Sequence, residues 1–242
     1  MQDPVLILGA SGTIGTAIAR HLHGAGRHVL AHGSRPSDGL AALAGDLGTT
    51  PSVFDVTDED AVAAAMADLT AAHGRLSGLV YAVATPFPHK LTHRTDWSVF
   101  QRQLDTQLKG LHLTLSDSRP LLAAHEEEAR VIVLSTEFML GQPPVKIAPY
   151  LAAKAAMTSY AQVIAQEWLK AGIRVHLLAP GMVRSALTGD MPDEYLDQVA
   201  EGMPEKMLTR AQDVADVAGF LMTPAADTLY GTLVPVSRAA RR

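Results

Sequence analysis

The chain of 242 residues is 48% hydrophobic and 19% charged, with a formal net charge of −5. This composition suits a soluble globular core rather than a disordered chain, and the lack of a strong basic block argues against nucleic acid as a partner. The chain has no cysteine, which excludes disulfides, thiol catalysis and cysteine-ligated zinc sites.

The chain begins with MQDPVLILGASG, which lacks the basic and then apolar pattern of a signal peptide. No apolar run approaches the roughly 20 residues that a membrane-spanning helix needs. We therefore expect a cytoplasmic protein without a membrane partner. The chain ends in SRAARR, which is basic, and we interpret this segment as a solvated tail.

Short apolar runs alternate with longer, alanine-rich periodic segments along the chain. The runs that predict β-strands cover residues 5–9, 28–33, 52–56, 78–84, 130–136, 173–180 and 232–237. The periodic segments predict a first helix with Ile14, Ala17, Ile18 and Leu22 on one face, and further helices near 38–47, 58–73, 95–125, 149–171 and 212–222. This alternation predicts an α/β fold in one domain, 1–242: a single Rossmann-type, doubly wound parallel sheet with helices on both faces.

Three local signals refine these elements. Thr57, with Asp60 three residues later, matches an N-cap signal for the third helix. Pro120 should bend the long fourth helical segment. The least regular stretch, about 184–210, follows the end of a predicted strand, where ligands bind in such sheets. We interpret it as a mobile lid, with an ordinary surface loop as the alternative.

The segment 9–15 reads GASGTIG and lies between the first predicted strand and the first predicted helix. Glycines there permit a tight turn and let a phosphate approach the backbone, and the helix N-terminus offers free N–H groups to a pyrophosphate. A tight turn with a purely structural role is the alternative. We predict that a nucleotide binds to the residues of this loop, namely Gly9, Ser11, Gly12, Thr13, Ile14 and Gly15.

The end of the second predicted strand indicates which nucleotide binds. Dinucleotide-binding folds often place an acid about 20 residues after the glycines, where it binds the adenosine ribose hydroxyls. No Asp or Glu lies between Gly15 and Asp38, and the strand ends in HGSR instead. Ser34 and Arg35 could hold a 2′-phosphate, so we predict NADP as the cofactor. In the alternative, Arg35 is a solvent-exposed loop residue and Asp38 binds the ribose.

Tyr150 and Lys154 stand four residues apart in APYLAAKAAM, a run of residues that favour a helix. Residues at this spacing are neighbours on a helix surface, so the ammonium can lower the pKa of the phenol below its ordinary value of about 10. A phenol tuned in this way suits proton transfer near neutral pH. The alternative is that both are ordinary surface side chains.

With the glycine loop and the Tyr-x-x-x-Lys pair in these places, the chain resembles the short-chain dehydrogenase/reductase family from about residue 4 to residue 237. Further motifs at the ends of predicted elements carry the resemblance, namely Asp55–Val56, Ser135–Thr136, Pro180–Gly181 and the late helix 210–221. The resemblance implies that the first of these motifs contacts adenine and that Pro–Gly lies beside the nicotinamide. The cofactor-binding residues that it implies are Asp55, Val56, Ala82, Ala84, Tyr150, Lys154, Pro180, Gly181 and Val183.

Three features depart from the family pattern. The loop glycines are spaced Gly9-x-x-Gly12-x-x-Gly15, a spacing that is commoner in longer members. The segment Tyr81-Ala-Val-Ala84 replaces the family's Asn-Asn-Ala-Gly after the fourth strand. Gln107 stands where members often carry a catalytic Asn, and the chain has no asparagine that could take over that role.

The mechanism that the resemblance implies is hydride transfer from a nicotinamide to a substrate carbonyl. Tyr150 protonates the carbonyl oxygen, and Lys154 lowers the Tyr150 pKa and holds the nicotinamide ribose. The Thr136 hydroxyl orients the carbonyl, with Ser135 as the alternative. Position along the strand favours Thr136, whereas the family's usual spacing before the tyrosine lands on Glu137, and a one-residue loop insertion reconciles the two. Gln107 would take the place of the Asn in a proton relay to solvent.

These expectations combine into an NADPH-dependent reductase of a small-molecule carbonyl, or of the matching alcohol in the reverse direction. A 3-oxoacyl thioester or polyketide-type ketone, free or carrier-bound, is the first expected substrate. The alternatives are a member that catalyses dehydration or isomerisation in the same pocket, and a nucleotide-binding regulatory subunit with little turnover. The resemblance also implies a homodimer or homotetramer assembled through the helices near 95–118 and 149–171.

Two remaining residue pairs are expected to lie outside the catalytic chemistry. His89 and His93 stand four residues apart in a predicted loop. We interpret them as solvent-exposed or substrate-rim residues, with a metal site as the alternative, and we expect no metal. Trp97 and Trp168 are interpreted as packing residues.

Overall fold

The computed structural model describes residues 3–238, and the seven β-strands within this range form one parallel sheet. The strands are β1 (Val5–Leu8), β2 (Val29–Gly33), β3 (Ser52–Val53), β4 (Gly78–Tyr81), β5 (Ala129–Leu134), β6 (Ile173–Pro180) and β7 (Leu233–Val236). Their order is β3-β2-β1-β4-β5-β6-β7, and every neighbouring pair is parallel. The chain winds outwards from β1 in one direction and then from β4 in the other, which confirms the predicted Rossmann-type fold.

Helices cover both faces of the sheet. They are α1 (Thr13–Gly24), α2 (Asp38–Asp46), α3 (Glu59–His73), α4 (Trp97–Leu104), α5 (Gly110–Ala123), α6 (Ala148–Glu167), α7 (Asp193–Glu201) and α8 (Ala211–Leu221). The apolar cluster on one face draws on α1, α2 and α8, and the cluster on the other draws on α3, α5 and α6. Successive strand residues point to opposite faces, so Leu6 and Leu8 join one cluster while Val5 and Ile7 join the other.

The third, fourth and fifth strands end two or three residues earlier than predicted, at Val53, Tyr81 and Leu134. The next backbone N–H after each of these strands still donates to the neighbouring strand, and residues slightly further on, such as Val56, Ala84 and Thr136, line a cleft. The apolar runs look like strand in the sequence, since apolar burial in a cleft and in a sheet select similar residues. The early ends therefore place short loops at the carboxyl edge of the sheet.

The predicted long helix near 95–125 is interrupted by a π-helical turn, Asp105–Lys109, between α4 and α5. Pro120 lies inside α5 without ending it, so the break in the α-helical pattern is not at the proline. The Tyr81 hydroxyl donates a hydrogen bond to the Thr106 carbonyl in the π turn. A side chain that takes a helix carbonyl as its acceptor is a known cause of such local widening.

The third helix is capped by Asp58 rather than Thr57. The Asp58 carboxylate accepts a hydrogen bond from the Ala61 N–H at 3.1 Å. Thr57 is already engaged, because its N–H and its hydroxyl both donate to Asp55 Oδ1 at 2.9 Å. The cap signal was therefore placed one residue too early.

Two surface expectations also change. Trp97 is 67% exposed and stacks on Phe100, so it does not pack in the core, whereas Trp168 is 7% exposed, as predicted. Arg238, the second residue of the basic SRAARR segment, forms ion pairs with Asp213 and Glu205 and is not a freely solvated side chain. Residues 239–242 of that segment lie outside the described residues.

Within residues 3–238, no helix is long and apolar enough to cross a membrane.

Candidate active site

A cleft of about 810 Å³ opens at the carboxyl ends of the strands. Its walls come from the loops that follow β1, β2, β4, β5 and β6 and from the first turns of α6. The sequence-predicted residues that line it are Gly9, Ser11, Gly12, Thr13, Ile14, Gly15, Ser34, Val56, Ala82, Ala84, Ser135, Thr136, Tyr150, Lys154, Pro180, Gly181 and Val183. Arg35, Asp55 and Gln107 do not line it.

The glycine loop has the shape that a dinucleotide phosphate needs. Gly9 has a φ of 81°, and a Cβ there would lie 2.8 Å from the Ala82 carbonyl oxygen. A Cβ on Gly15 would lie 2.2 Å from the Gly9 carbonyl oxygen. Gly12 is the N-cap of α1, and no side chain caps the first turn. The backbone N–H groups of the first helical residues, Thr13 and Ile14, are therefore free to receive an anion. The residues present therefore fit a bound pyrophosphate.

The end of the cleft beside β6 has a second close approach of backbone to side chain. Pro180 ends β6, and the Gly181 N–H donates to the Val236 carbonyl at 2.8 Å. A Cβ on Gly181 would lie 2.6 Å from Thr209 Oγ1. Only glycine fits there without displacing a buried hydroxyl, which keeps this wall of the cleft flat.

The adenosine end offers one lining hydroxyl and one nearby cation. Ser34 lines the cleft, while Arg35 is exposed beside it and has no ion pair with any carboxylate in the part of the chain that the structure describes. Asp55 Oδ1 is occupied by the two hydrogen bonds from Thr57. Asp38 lies in the first turn of α2, exposed and outside the cleft lining.

Tyr150 lies in the first turn of α6, and its ring faces the cleft. Its ring stacks on Phe87 at 5.3 Å between centroids, with an interplanar angle of 12°. Burial raises the pKa of Tyr150 to about 12, and a hydrogen bond with the Thr136 hydroxyl opposes that rise. Tyr150 is therefore a protonated phenol at neutral pH.

The predicted effect of Lys154 on the Tyr150 pKa stays a prediction, because the Lys154 ammonium makes its hydrogen bond to another group. The ammonium donates to the Leu134 carbonyl at 2.5 Å and stands 5.8 Å from the centroid of the Tyr150 ring. Burial lowers the pKa of Lys154 to about 7. Desolvation is the largest effect on the pKa of both residues, because burial disfavours the charged form of each.

The two candidate hydroxyls after β5 have different partners. Ser135 Oγ and Thr158 Oγ1 share a hydrogen bond of 2.6 Å, which ties Ser135 to the inner side of α6. The Thr136 hydroxyl instead accepts a hydrogen bond from the Phe138 N–H at 3.5 Å, and it is the hydroxyl that acts to lower the pKa of Tyr150. Both side chains are nearly buried at the cleft floor. The geometry thus brings Thr136, rather than Ser135, to the phenol.

Gln107 is fully buried in the π turn. Its Nε2 donates to Gln103 Oε1 at 2.8 Å, and Gln103 Nε2 donates to the Thr85 carbonyl at 3.0 Å. Gln107 Oε1 has no hydrogen-bond partner among the described residues. A buried amide oxygen of this kind is a natural site for an ordered water.

The outer half of the cleft is mainly apolar. Its lining includes Phe87, Phe138, Ile147, Met182, Leu187 and Met191. At the rim, His89 faces Asp190 at 3.5 Å, and this pair joins the loop after β4 to the segment before α7. His93 is exposed in a separate 3-10 turn. Within residues 3–238, no cluster of three potential metal ligands is found.

Sequence reasoning missed several lining residues. Phe87 is not among the predicted site residues. The lining residues within 185–192 fall in the predicted lid but are not predicted one by one, and the range of the lid also contains α7. His32, on β2, was also missed. A lone histidine in an otherwise apolar strand was its only signal.

Comparisons with known proteins agree with this arrangement. A family model described as enoyl-(acyl carrier protein) reductase matches residues 9–238. Cis-4-hydroxycyclohexanecarboxylate dehydrogenase of Sinomonas cyclohexanicum is 30% identical over 96% of this chain and 93% of its own. The 3-oxoacyl-[acyl-carrier-protein] reductase FabG of Rickettsia bellii is 28% identical over 96% of this chain and 94% of its own. The solved structure of 3-hydroxyacyl-CoA dehydrogenase type-2 from Mycobacterium avium is 25% identical, with a TM-score of 0.85 over 100% and 96% of the chains.

Proposed function

Because the chain belongs to the short-chain dehydrogenase/reductase family of oxidoreductases, we propose that it reduces a substrate carbonyl with NADPH. The observation that carries this proposal is that Tyr150, Thr136 and Lys154 line the same cleft as the glycine loop, whose backbone leaves room for a phosphate. A proton donor and a dinucleotide site share one cavity. That combination suits hydride transfer coupled to proton transfer.

NADP is the proposed cofactor, held at the glycine loop, along Val56, Ala82 and Ala84, and beside Gly181. Ser34 and Arg35 would take the 2′-phosphate. Arg35 supports this assignment because it is free of carboxylate partners within residues 3–238 and because no acid competes for the ribose in the lining there. When bound, the nicotinamide supplies the hydride that reduces the carbonyl carbon.

The chain's own groups manage the proton. Tyr150, with its pKa raised by burial, is the acid that donates to the carbonyl oxygen, and the Thr136 hydroxyl holds that oxygen in place. Lys154 uses one N–H on the Leu134 carbonyl, and its remaining donors are available for ribose hydroxyls. Gln107 is proposed to hold, with its unpartnered oxygen, a water in the path that returns a proton to Tyr150.

The apolar outer cleft supports a substrate with a hydrocarbon part, and a 3-oxoacyl thioester is the first candidate. The relative from Rickettsia bellii carries that activity in its name. The test is NADPH oxidation by the wild-type protein against 3-oxoacyl thioesters of increasing chain length, with Tyr150→Phe as the matched control. Turnover that depends on Tyr150 would support the proposal, and no turnover with any ketone would contradict it.

A second candidate is the interconversion of a compact alicyclic hydroxy acid and its ketone. The rim of the cleft carries Lys90 and Lys146, neither of which forms an ion pair with a carboxylate in the described part of the chain. Such cations favour a carboxylate on the substrate. The relative from Sinomonas cyclohexanicum is named for a substrate of this kind, so 4-oxocyclohexanecarboxylate belongs in the same panel.

We also propose that the protein is a homodimer or homotetramer. Trp97 on α4 and Val163 on α6 are 67% and 56% exposed, and the two helices pack against each other. Exposed apolar side chains on adjacent helices form a patch that a second copy can cover. Light scattering should report a multiple of 25.7 kDa; a monomer at assay concentration would contradict the proposal.

A further inference from the structure

His32 is a buried histidine on β2 whose two ring nitrogens bond to two other segments, the glycine loop and the chain after β3. It is 1% exposed and lies against the cofactor cleft. The Gly9 N–H donates to His32 Nδ1 at 3.2 Å. His32 Nε2 lies 2.8 Å from the Phe54 carbonyl oxygen, and the centroids of the His32 and Phe54 rings are 4.1 Å apart. The imidazole therefore bridges the glycine loop and the chain after β3.

These two partners determine the state of the ring. A backbone N–H is only a donor, so Nδ1 must present a lone pair to Gly9. A carbonyl is only an acceptor, so Nε2 must carry the hydrogen that points at Phe54. The ring is consequently neutral, with its hydrogen on Nε2. A protonated imidazole has no lone pair and would leave the Gly9 N–H without an acceptor.

Gly9 is the residue at which the glycine loop leaves the sheet. Its positive φ turns the chain, and its carbonyl accepts a hydrogen bond from the Gly12 N–H at 3.1 Å. The next residue is also tied to β2, because the Ala10 N–H donates to the His32 carbonyl at 2.8 Å. Both bonds between β2 and the start of the loop therefore belong to His32, one through its ring and one through its backbone.

We propose that His32 is a positioning residue for the cofactor: its bond to Gly9 sets the conformation of the phosphate loop, and its bond to the Phe54 carbonyl holds the ring in the orientation that this requires. This inference rests on the proposed use of NADPH. It predicts that loss of the ring acceptor weakens cofactor binding without changing the chemistry at Tyr150.

Neutrality of the ring is compatible with its surroundings. Burial lowers the pKa of His32 to about 4, while the Asp55 carboxylate, the charged group that acts on the ring, favours the protonated form. Burial is the larger effect. The acceptor at Nδ1 is thus present throughout the neutral range in which cofactor binding would be measured.

The test compares NADPH affinity in single variants by titration of nucleotide fluorescence. His32→Leu removes both ring bonds, and we expect a dissociation constant raised roughly tenfold, because cofactor binding must then restore a loop conformation that the ring no longer fixes. His32→Asn can place an oxygen near the former Nδ1 and should restore much of the affinity. His32→Gln reaches towards Phe54 instead and should restore less. With saturating NADPH, kcat should stay near the wild-type value in all three.

His176→Leu is the matched control. His176 is also fully buried, on β6, and does not line the cleft. Neither ring nitrogen of His176 has a hydrogen-bond partner among the described residues, so this variant removes a buried imidazole without removing a bond and should leave NADPH affinity unchanged. If His32→Leu leaves the dissociation constant unchanged in the same way, the positioning role is overturned. If the wild-type protein itself binds no NADPH, the proposed function fails first, and the two failures are distinguishable.

Discussion

Tyr150 and Thr136 show how much of the proposed chemistry depends on single side chains. The phenol is kept protonated by burial, and its hydrogen-bond partner is the hydroxyl that comes second after β5. Ser135 faces away, towards Thr158. The sequence alone left these two hydroxyls undecided because neighbouring residues at a strand end can turn to either side, and only the packed helix α6 shows which one meets the phenol.

The first prediction separates the two hydroxyls. Tyr150→Phe should fold, bind cofactor and lose about 10²–10⁴-fold in turnover, because it removes only the proton-transfer group. Thr136→Ala should impair turnover more than Ser135→Ala does. Steady-state kinetics with thermal melts as a folding control would decide the order; a more severe Ser135→Ala defect would move the role by one residue.

The second prediction concerns cofactor choice. NADPH should bind more tightly than NADH, and Arg35→Ala should remove most of the difference. A charged hydrogen bond to phosphate is worth about 1.5–3 kcal/mol, or roughly 10- to 150-fold in affinity. Fluorescence titration of both nucleotides measures it. Equal affinities in the wild type would contradict the assignment of the 2′-phosphate site.

At the scale of elements, the sheet and its helices could be predicted from the sequence because apolar runs and Ala-rich periods alternate clearly. The loops at the carboxyl edge followed from the same pattern, and so did most of the cleft lining. The π turn could not be predicted, since it depends on a contact between the Tyr81 hydroxyl and the Thr106 carbonyl, two residues far apart in the chain. The bonds from His32 to Gly9 and Phe54 depend in the same way on three separate segments.

The third prediction addresses Gln107 in the π turn. Gln107→Leu removes the donor to Gln103 and the unpartnered oxygen, and it should slow turnover, because an unpaired buried polar group costs about 1–3 kcal/mol. Gln107→Asn keeps an amide and should be tolerated. Turnover against pH for both variants, with melts as a folding control, is the measurement. A fully active Gln107→Leu protein would contradict the relay and favour a different reaction in this pocket.

At the scale of the whole molecule, two buried histidines link stability to pH. Burial lowers the pKa values of His32 and His176 to about 4, below the ordinary value of about 6.5 in an unfolded chain. Between these values the unfolded state binds more protons than the folded state, so acid favours unfolding. Their contribution is fully present above about pH 6.5 and is lost as the pH falls towards 4.

The fourth prediction follows from that linkage. The free energy of unfolding should fall between pH 6.5 and pH 4, with each ring contributing on the order of 1–3 kcal/mol. Urea denaturation at a series of pH values measures it. His176→Leu should flatten the dependence by removing one of the two rings. A free energy that stays constant across this window would show that neither ring is held neutral by the fold.

The central claim is that this protein transfers hydride from NADPH to a carbonyl carbon, with Tyr150 as the acid. The most direct measurement uses NADPH deuterated at nicotinamide C4, in each of its two stereoisomers, with a 3-oxoacyl thioester or 4-oxocyclohexanecarboxylate. We predict an alcohol product that carries one deuterium on the former carbonyl carbon with one stereoisomer only, formed about 10²–10⁴-fold more slowly by Tyr150→Phe. A product without deuterium from both stereoisomers, as dehydration or isomerisation would give, or no product from any carbonyl substrate, would contradict the claim.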